Sequence, residues 1–222
     1  MGYMGSKGSH GAFQAIIAQM PPHDTYIETH LGSGAVMRLK PAAQWSIGVD
    51  LDRRALNEAF QPTYPVDLQE GDAVEFLEGF DFDLAGRVVV YSDPPYLLET
   101  RTSSKRYAFE YTREDHVELI DTLKRVPAAV ILSGYPSRLY NDLLSDWRSI
   151  TFQVMTRGGV RTEQLWMNFP VGDVHWATYA GRNKTRRQNI KRKAARWRSK
   201  YERLEPGERL AVLAALLAVD GS

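Results

Sequence analysis

Ser92-Asp93-Pro94-Pro95-Tyr96 constrains this chain more than any other stretch. It follows Arg87-Val88-Val89-Val90-Tyr91, a β-branched run of the kind that forms a buried strand. The two prolines cannot continue a ladder, and they fix the backbone. A carboxylate, a rigid turn and an aromatic ring are thereby held at the carboxyl end of a strand, the edge of open α/β sheets where ligands bind. An exocyclic amine on a nucleobase is a poor nucleophile, because its lone pair is delocalised into the ring. A carboxylate accepting one N–H, with a backbone carbonyl accepting the other, would draw that lone pair out of conjugation. A tyrosine beside them can stack on the base. The combination suits methyl transfer to an amino nitrogen. The plainer reading is a strand end closed by a proline turn, so the rest of the chain has to decide.

With 222 residues the chain has room for one large domain, or one with an appendage. Its 43% hydrophobic and 25% charged content is an ordinary globular balance. There is no cysteine, which excludes disulfides and thiolate metal sites, and no metal is expected. No long apolar run or signal peptide is present, so a cytoplasmic protein without membrane contact is the simplest expectation. The net charge of +1 hides an asymmetry. Gly181 to Arg203 holds eleven Lys/Arg and one acid, leaving seventeen basic and twenty-six acidic residues elsewhere. An acidic body with a basic tail suggests a polyanionic partner.

Tyr3-Met4-Gly5-Ser6-Lys7-Gly8 opens the chain, and a short amphipathic helix is expected from Ala12 to Met20 before Pro21-Pro22. Thr25 to Thr29 reads as a strand. It leads into His30-Leu31-Gly32-Ser33-Gly34 and a helix through Lys40, with the glycines allowing a ligand close to the backbone. The full GxGxxG fingerprint of NAD sites is absent. Trp45 to Val49 is a second strand ending in Asp50-Leu51-Asp52. An acid there can hold ribose hydroxyls or cap the following helix, Arg53 to Phe60. Asp50 is assigned to ribose and Asp52 to the cap. Val66 to Glu70 is a third strand. After it, Asp72 either reaches a cofactor adenine or caps the next helix. Leu97 to Tyr111 has no period and interleaves Arg101, Lys105 and Arg106 with tyrosines, which suits a nucleic-acid strand. A capped helix from Thr112, a strand from Ala128 to Ser133 and a helix from Ser137 to Leu144 follow. Two late strands are expected at Arg148–Thr156 and Glu163–Phe169, joined through Gly158-Gly159.

Taken in order, Tyr-x-Gly-Ser-Lys, Glu-x-x-x-Gly-Ser-Gly, Val-Asp-x-Asp, Gly-Asp, Asp-Pro-Pro-Tyr and Glu-x-Leu-Trp-x-Asn resemble the Dam-like adenine-specific DNA methyltransferases, over about Tyr3 to Asn168. The resemblance implies a Rossmann-like α/β sheet of seven strands, the last one antiparallel, flanked by helices. It implies S-adenosylmethionine as methyl donor and adenine N6 as acceptor. It places Tyr3, Lys7, Glu28, Gly32, Gly34, Asp50, Asp72 and Asp93 at the cofactor. It makes Asp93, Pro94, Pro95 and Tyr96 the catalytic turn. Two departures stand out. His30 replaces the phenylalanine usual in that loop. Only about twenty residues separate Asp72 from Asp93, where sequence-specific relatives carry a target-recognition domain.

Residues 1–180 are therefore expected to form the methyltransferase domain, and 181–222 a basic helical extension. The extension reads as one helix from Asn183 to Leu204 and an apolar one from Leu210 to Val219, which would bury its stripe in a hairpin or a dimer. Lys191, Arg192, Lys193 and Arg196 are expected on phosphates. The expected partner is double-stranded DNA, with RNA as the alternative, and the protein a monomer or homodimer. A non-catalytic nucleic-acid binder would lack Tyr3, Lys7, Asp50 or Asp93, all present here. Cytosine N4 as acceptor goes more often with serine in place of Asp93.

Overall fold

A computed structural model describes residue 7 and residues 11–60, 62–100, 109–156, 159–171 and 184–220. The chain divides into two compact units, Met1–Trp176 and Ala177–Ser222.

The first unit is a seven-stranded sheet. Its strands are β1 (Thr25–Glu28), β2 (Trp45–Asp50), β3 (Asp67–Glu70), β4 (Val88–Ser92), β5 (Ala129–Gly134), β6 (Arg148–Thr156) and β7 (Gly159–Met167), in the spatial order β3-β2-β1-β4-β5-β7-β6. Pairs among the first five are parallel, while β7 runs antiparallel to both β5 and β6. This is a Rossmann-like sheet of seven strands with its last strand reversed, as expected. The strand order turns back between β1 and β4, which opens a crevice at their carboxyl ends.

Local chemistry explains the elements. Every residue of β1 and β4 is buried, as strands covered on both faces must be. Ile27, Ile47, Val90, Val130 and Leu132 share one core with Leu119, Ile120 and Leu123 of helix α4 (Arg113–Arg125) and Leu77 of helix α3 (Ala73–Gly79). The Thr112 hydroxyl accepts the Asp115 amide, and Asp115 accepts the Thr112 amide, so α4 begins on the expected capping box. Helices α1 (Ala12–Ile17), α2 (Ala35–Leu39) and α5 (Arg138–Leu143) complete the unit among the described residues.

Two elements differ from expectation. The segment after Asp52 forms a π-helical turn, Ala55–Ala59, closed by the Phe60 amide on the Ala55 carbonyl at 3.1 Å. The wider turn seats Phe60 against Gly34. β7 starts at Gly159 rather than Glu163. Its first four residues pair with β6 in a partly exposed hairpin, where there is no apolar run to mark a strand.

The second unit consists of α6 (Lys184–Glu202) and α7 (Pro206–Asp220). Arg209 donates to the Leu204 and Glu202 carbonyls, tying the start of α7 to the end of α6. Leu210, Leu213 and Leu216 are exposed. Among the described residues no helix is long and apolar enough to cross a membrane.

Candidate functional site

Each parallel strand delivers one piece to the same edge. The loop Thr29–Gly34 follows β1, Asp50 ends β2, Asp72 follows β3, Asp93–Tyr96 follow β4 and Tyr135 follows β5. Because β7 is reversed, its early residues Arg161 and Glu163 reach this edge too.

The glycine loop is held open by backbone geometry. Gly32 and Gly34 have φ of 51° and 58°, and a Cβ on Gly34 would lie 2.1 Å from the Phe60 ring. Asp50 fixes the loop from below. Its Oδ2 accepts the Gly32 amide at 2.7 Å, and its Oδ1 accepts the Asp52 amide at 2.8 Å. Each oxygen keeps a further lone pair. Burial raises the Asp50 pKa, and the two amides work against that rise. Asp52 instead binds the Arg54 amide and guanidinium, as a cap residue should.

Glu28 is buried and accepts the Tyr26 hydroxyl at 3.0 Å. Burial pushes its carboxyl up to about 8. Lys40, also buried, sits 4.3 Å from the Tyr26 ring centre, and burial brings its ammonium down to about 8. The phenylalanine substitute His30 makes polar contacts a phenylalanine could not. Its Nε2 lies 3.0 Å from the Tyr111 hydroxyl and its Nδ1 3.0 Å from the Thr29 hydroxyl. Burial lowers its pKa to about 3, so the ring is neutral. Asp72 caps α3: its Oδ1 accepts the Val74 and Glu75 amides.

The proline turn carries the densest charge cluster. Lys7 Nζ donates to Asp93 Oδ1 at 2.8 Å and to the Tyr96 hydroxyl, and lies 3.5 Å from Glu163 Oε2. Burial alone would lower the Lys7 pKa, but Asp93, Tyr96 and Glu163 around it outweigh that and hold it well above the ordinary lysine value. Burial raises Asp93 against the pull of Lys7. Burial also keeps the Tyr96 phenol un-ionised. The Tyr96 ring packs on Tyr135 at 4.3 Å between centroids, tilted by 51°, and Arg161 donates to the Tyr135 hydroxyl at 2.9 Å. The side chain of Asp93 is 15% exposed, so it can be reached from outside while Lys7 cannot. Pro94 is buried and Pro95 half-buried, which makes the turn a fixed platform.

The structure thus brings together Lys7, Glu28, Gly32, Gly34, Asp50, Asp72, Asp93, Pro94, Pro95 and Tyr96 along one edge. Tyr3, Arg101, Lys105 and Arg106 lie outside the described residues. Lys191, Arg192, Lys193 and Arg196 are exposed on α6 in the second unit. The sequence reading gave no role to Tyr135, Arg161 or Glu163. Glu163 was visible as the first residue of Glu-x-Leu-Trp-x-Asn. The asparagine of that motif, Asn168, is structural: its side-chain amide bonds the Val130 amide and the Ala128 carbonyl, clamping the start of β5. Among the described residues no group of three or more His, Asp or Glu side chains is arranged to hold a metal ion.

No known family profile matches the chain, and no curated protein matches it. Solved structures do. A protein from Pyrococcus horikoshii assigned as an RNA methyltransferase aligns with a TM-score of 0.48 at 11% identity, over 75% of this chain and 90% of its own. An rRNA methylase from Streptococcus thermophilus gives 0.46 at 11%, over 70% and 93%. A dimethyladenosine transferase from Plasmodium falciparum gives 0.42 at 16%, over 70% and 58%.

Proposed function

We propose that this chain is an S-adenosylmethionine-dependent methyltransferase acting on the N6 amine of adenine in double-stranded DNA. The observation that carries the reading is the Asp93 carboxylate. It is fixed through Oδ1 by a buried ammonium, keeps a small exposed fraction, and sits at the strand edge that also carries the glycine loop and Asp50.

The residues fit the cofactor. The left-handed glycines leave the loop backbone open, and the spare lone pairs of Asp50 suit a ribose diol. Tyr3 and Asp72 are assigned to the same site on the resemblance. The cofactor supplies an activated methyl group on a sulfonium. The chain supplies position. Asp93 Oδ2 accepts one N–H of the target amine and the Pro94 carbonyl accepts the other, directing the nitrogen lone pair towards the methyl carbon. Tyr96 offers a ring to an adenine flipped out of the duplex, held at its hydroxyl by Lys7. The exposed α6 cations Lys191, Arg192, Lys193 and Arg196 hold phosphates, with Arg101, Lys105 and Arg106 assigned to the strand near the site. Residues 1–180 are the transferase domain and 181–222 the nucleic-acid extension.

RNA is the second reading, and one observation favours it. Between Asp72 and Asp93 the chain holds only α3 and a short connection, with no recognition domain. Parallel assays with labelled S-adenosylmethionine, on duplex DNA and on structured RNA, separate the two. The proposal expects label on N6 of adenine in DNA; label confined to RNA would transfer the same chemistry to the second reading.

A further inference from the structure

Tyr111 closes the stretch whose basic and aromatic residues suit a nucleic-acid strand, yet its hydroxyl turns to the glycine loop. It lies 3.0 Å from His30 Nε2, and the two rings meet edge to face with centroids 5.4 Å apart. Which of the two donates depends on the imidazole, which is neutral because burial lowers its pKa to about 3. A neutral imidazole carries one N–H and one lone pair. On its other side, Nδ1 lies 3.0 Å from the Thr29 hydroxyl and 3.3 Å from the Ser92 hydroxyl. Those residues are 1% and 0% exposed. Neither hydroxyl has another hydrogen-bond partner among the described residues. A proton on Nδ1 would leave both hydroxyl protons buried without an acceptor. A lone pair on Nδ1 takes one of them, so the imidazole proton belongs on Nε2. Nε2–H then donates to the Tyr111 oxygen, and the Tyr111 O–H has its own acceptor to find.

We infer that Tyr111 is a cofactor-binding residue whose hydroxyl, its oxygen fixed by His30, donates to an acceptor atom in the adenosine half of S-adenosylmethionine. The inference rests on the methyltransferase reading above. Place and chemistry agree. The phenol is less deeply enclosed than the His30 ring. Burial raises its pKa, and the carboxylates of Asp72, Asp115 and Asp50 raise it further, so the proton stays on. Asp50 ends β2 and Asp72 follows β3, the part of the edge assigned to ribose and adenine. An adenosine carries donors, its ribose hydroxyls and its amine. It also carries acceptors, its ring nitrogens and ribose oxygens. The carboxylates take only the donors, and a hydroxyl near them serves the acceptors. A phenylalanine in place of His30 could not fix the Tyr111 oxygen. His30 is thus the positioning residue of the pair, and Tyr111 the one that meets the ligand.

The test compares the full chain with its Tyr111→Phe variant, which keeps the ring and removes the hydroxyl. Calorimetry gives affinities for S-adenosylhomocysteine and for methylthioadenosine, which lacks the amino-acid tail. Tyr111→Phe should weaken both by a similar factor, roughly twofold to tenfold, as expected for one neutral hydrogen bond. Long-range nitrogen–proton NMR spectra of the wild type should show the His30 proton on Nε2, a result that does not depend on how the variant folds. Unchanged affinity for both ligands in Tyr111→Phe overturns the inference. So does a loss confined to S-adenosylhomocysteine, which would put the hydroxyl at the amino-acid half. A His30 proton on Nδ1 overturns it as well, because the Tyr111 proton would then be spent on Nε2. If the wild type binds neither ligand, the cofactor reading falls and takes this inference with it. If the wild type binds both and Tyr111→Phe binds them equally well, only the inference falls.

Discussion

Asp50 and Asp93 are the same side chain at the ends of β2 and β4, the two strands that flank β1, and their surroundings differ. Asp50 meets two backbone amides, which fix it as part of the glycine loop and leave lone pairs for hydroxyl donors. Asp93 meets the Lys7 ammonium through Oδ1, which orients it, and Oδ2 is the oxygen proposed for the target amine. Charge-assisted hydrogen bonds of the Asp50 kind contribute about 1.5–3 kcal/mol. Asp50→Ala should thus weaken S-adenosylmethionine binding roughly tenfold to a hundredfold by titration; unchanged affinity would make Asp50 a loop residue alone. Glu28 behaves differently again, because its burial outweighs the pull of the Lys40 ammonium. Its folded pKa of about 8 lies above that of an unfolded glutamate. Below pH 4 both states hold the proton, and burial carries no ionic penalty. Between about pH 5 and 8 the unfolded chain ionises while the folded one does not, and stability falls by up to about 1.4 kcal/mol per pH unit. Glu28→Gln, which cannot ionise, should therefore gain stability over the wild type as pH rises through that window. Parallel denaturation curves for the two proteins would contradict the assignment.

At the scale of elements, the glycine loop works only with the π-helical turn behind it. Phe60 occupies the space a Gly34 side chain would need, and Gly34 is left-handed. Gly34→Ala should cost at least about 1 kcal/mol from the backbone alone, with further loss from moving a buried ring, and should weaken cofactor binding as the loop shifts. An unchanged denaturation midpoint would show that loop and turn adjust independently. This pairing also marks where sequence reading stops. β4 was legible because a strand buried on both faces carries an unbroken run such as Val88-Val89-Val90-Tyr91. The Asp-Pro-Pro-Tyr turn was legible because prolines fix a backbone by themselves. Asp50 and the glycines followed from strand–turn–helix order. The π-helical turn was not legible, because its cause is the tertiary contact between Phe60 and Gly34. The start of β7 was missed because its first residues face solvent on one side. The resemblance put Lys7 and Asp93 at one site, but the contact of Lys7 with Glu163 was not legible, because the two lie far apart in sequence and no spacing rule joins them. Only β7, arriving antiparallel, puts Glu163 beside Lys7.

At the scale of the whole molecule, charge is segregated. Eleven basic residues lie between Gly181 and Arg203, on a chain whose remaining residues sum to −9. Attraction to a polyanion should therefore come mainly from α6, where Lys191, Arg192, Lys193 and Arg196 are exposed. Changing those four to glutamine should flatten the slope of log affinity against log salt by about 3 to 4 for duplex DNA if all four touch phosphate. Binding should weaken alike for all sequences, since phosphate contacts carry no base information. Cofactor affinity should be unchanged, because the cofactor residues lie in the other unit. An unchanged salt slope would assign α6 and α7 to structure or self-association instead. The central claim is that Asp93 presents an adenine amine to a methyl donor held by its neighbours. Transfer of labelled methyl from S-adenosylmethionine to duplex DNA, followed by nucleoside analysis, tests it most directly in the wild type and Asp93→Ala with cofactor affinity measured alongside. The account predicts N6-methyladenine from the wild type, almost none from Asp93→Ala, and similar cofactor affinity for both. Wild-type turnover in Asp93→Ala, or a methyl group found on another atom, would contradict it.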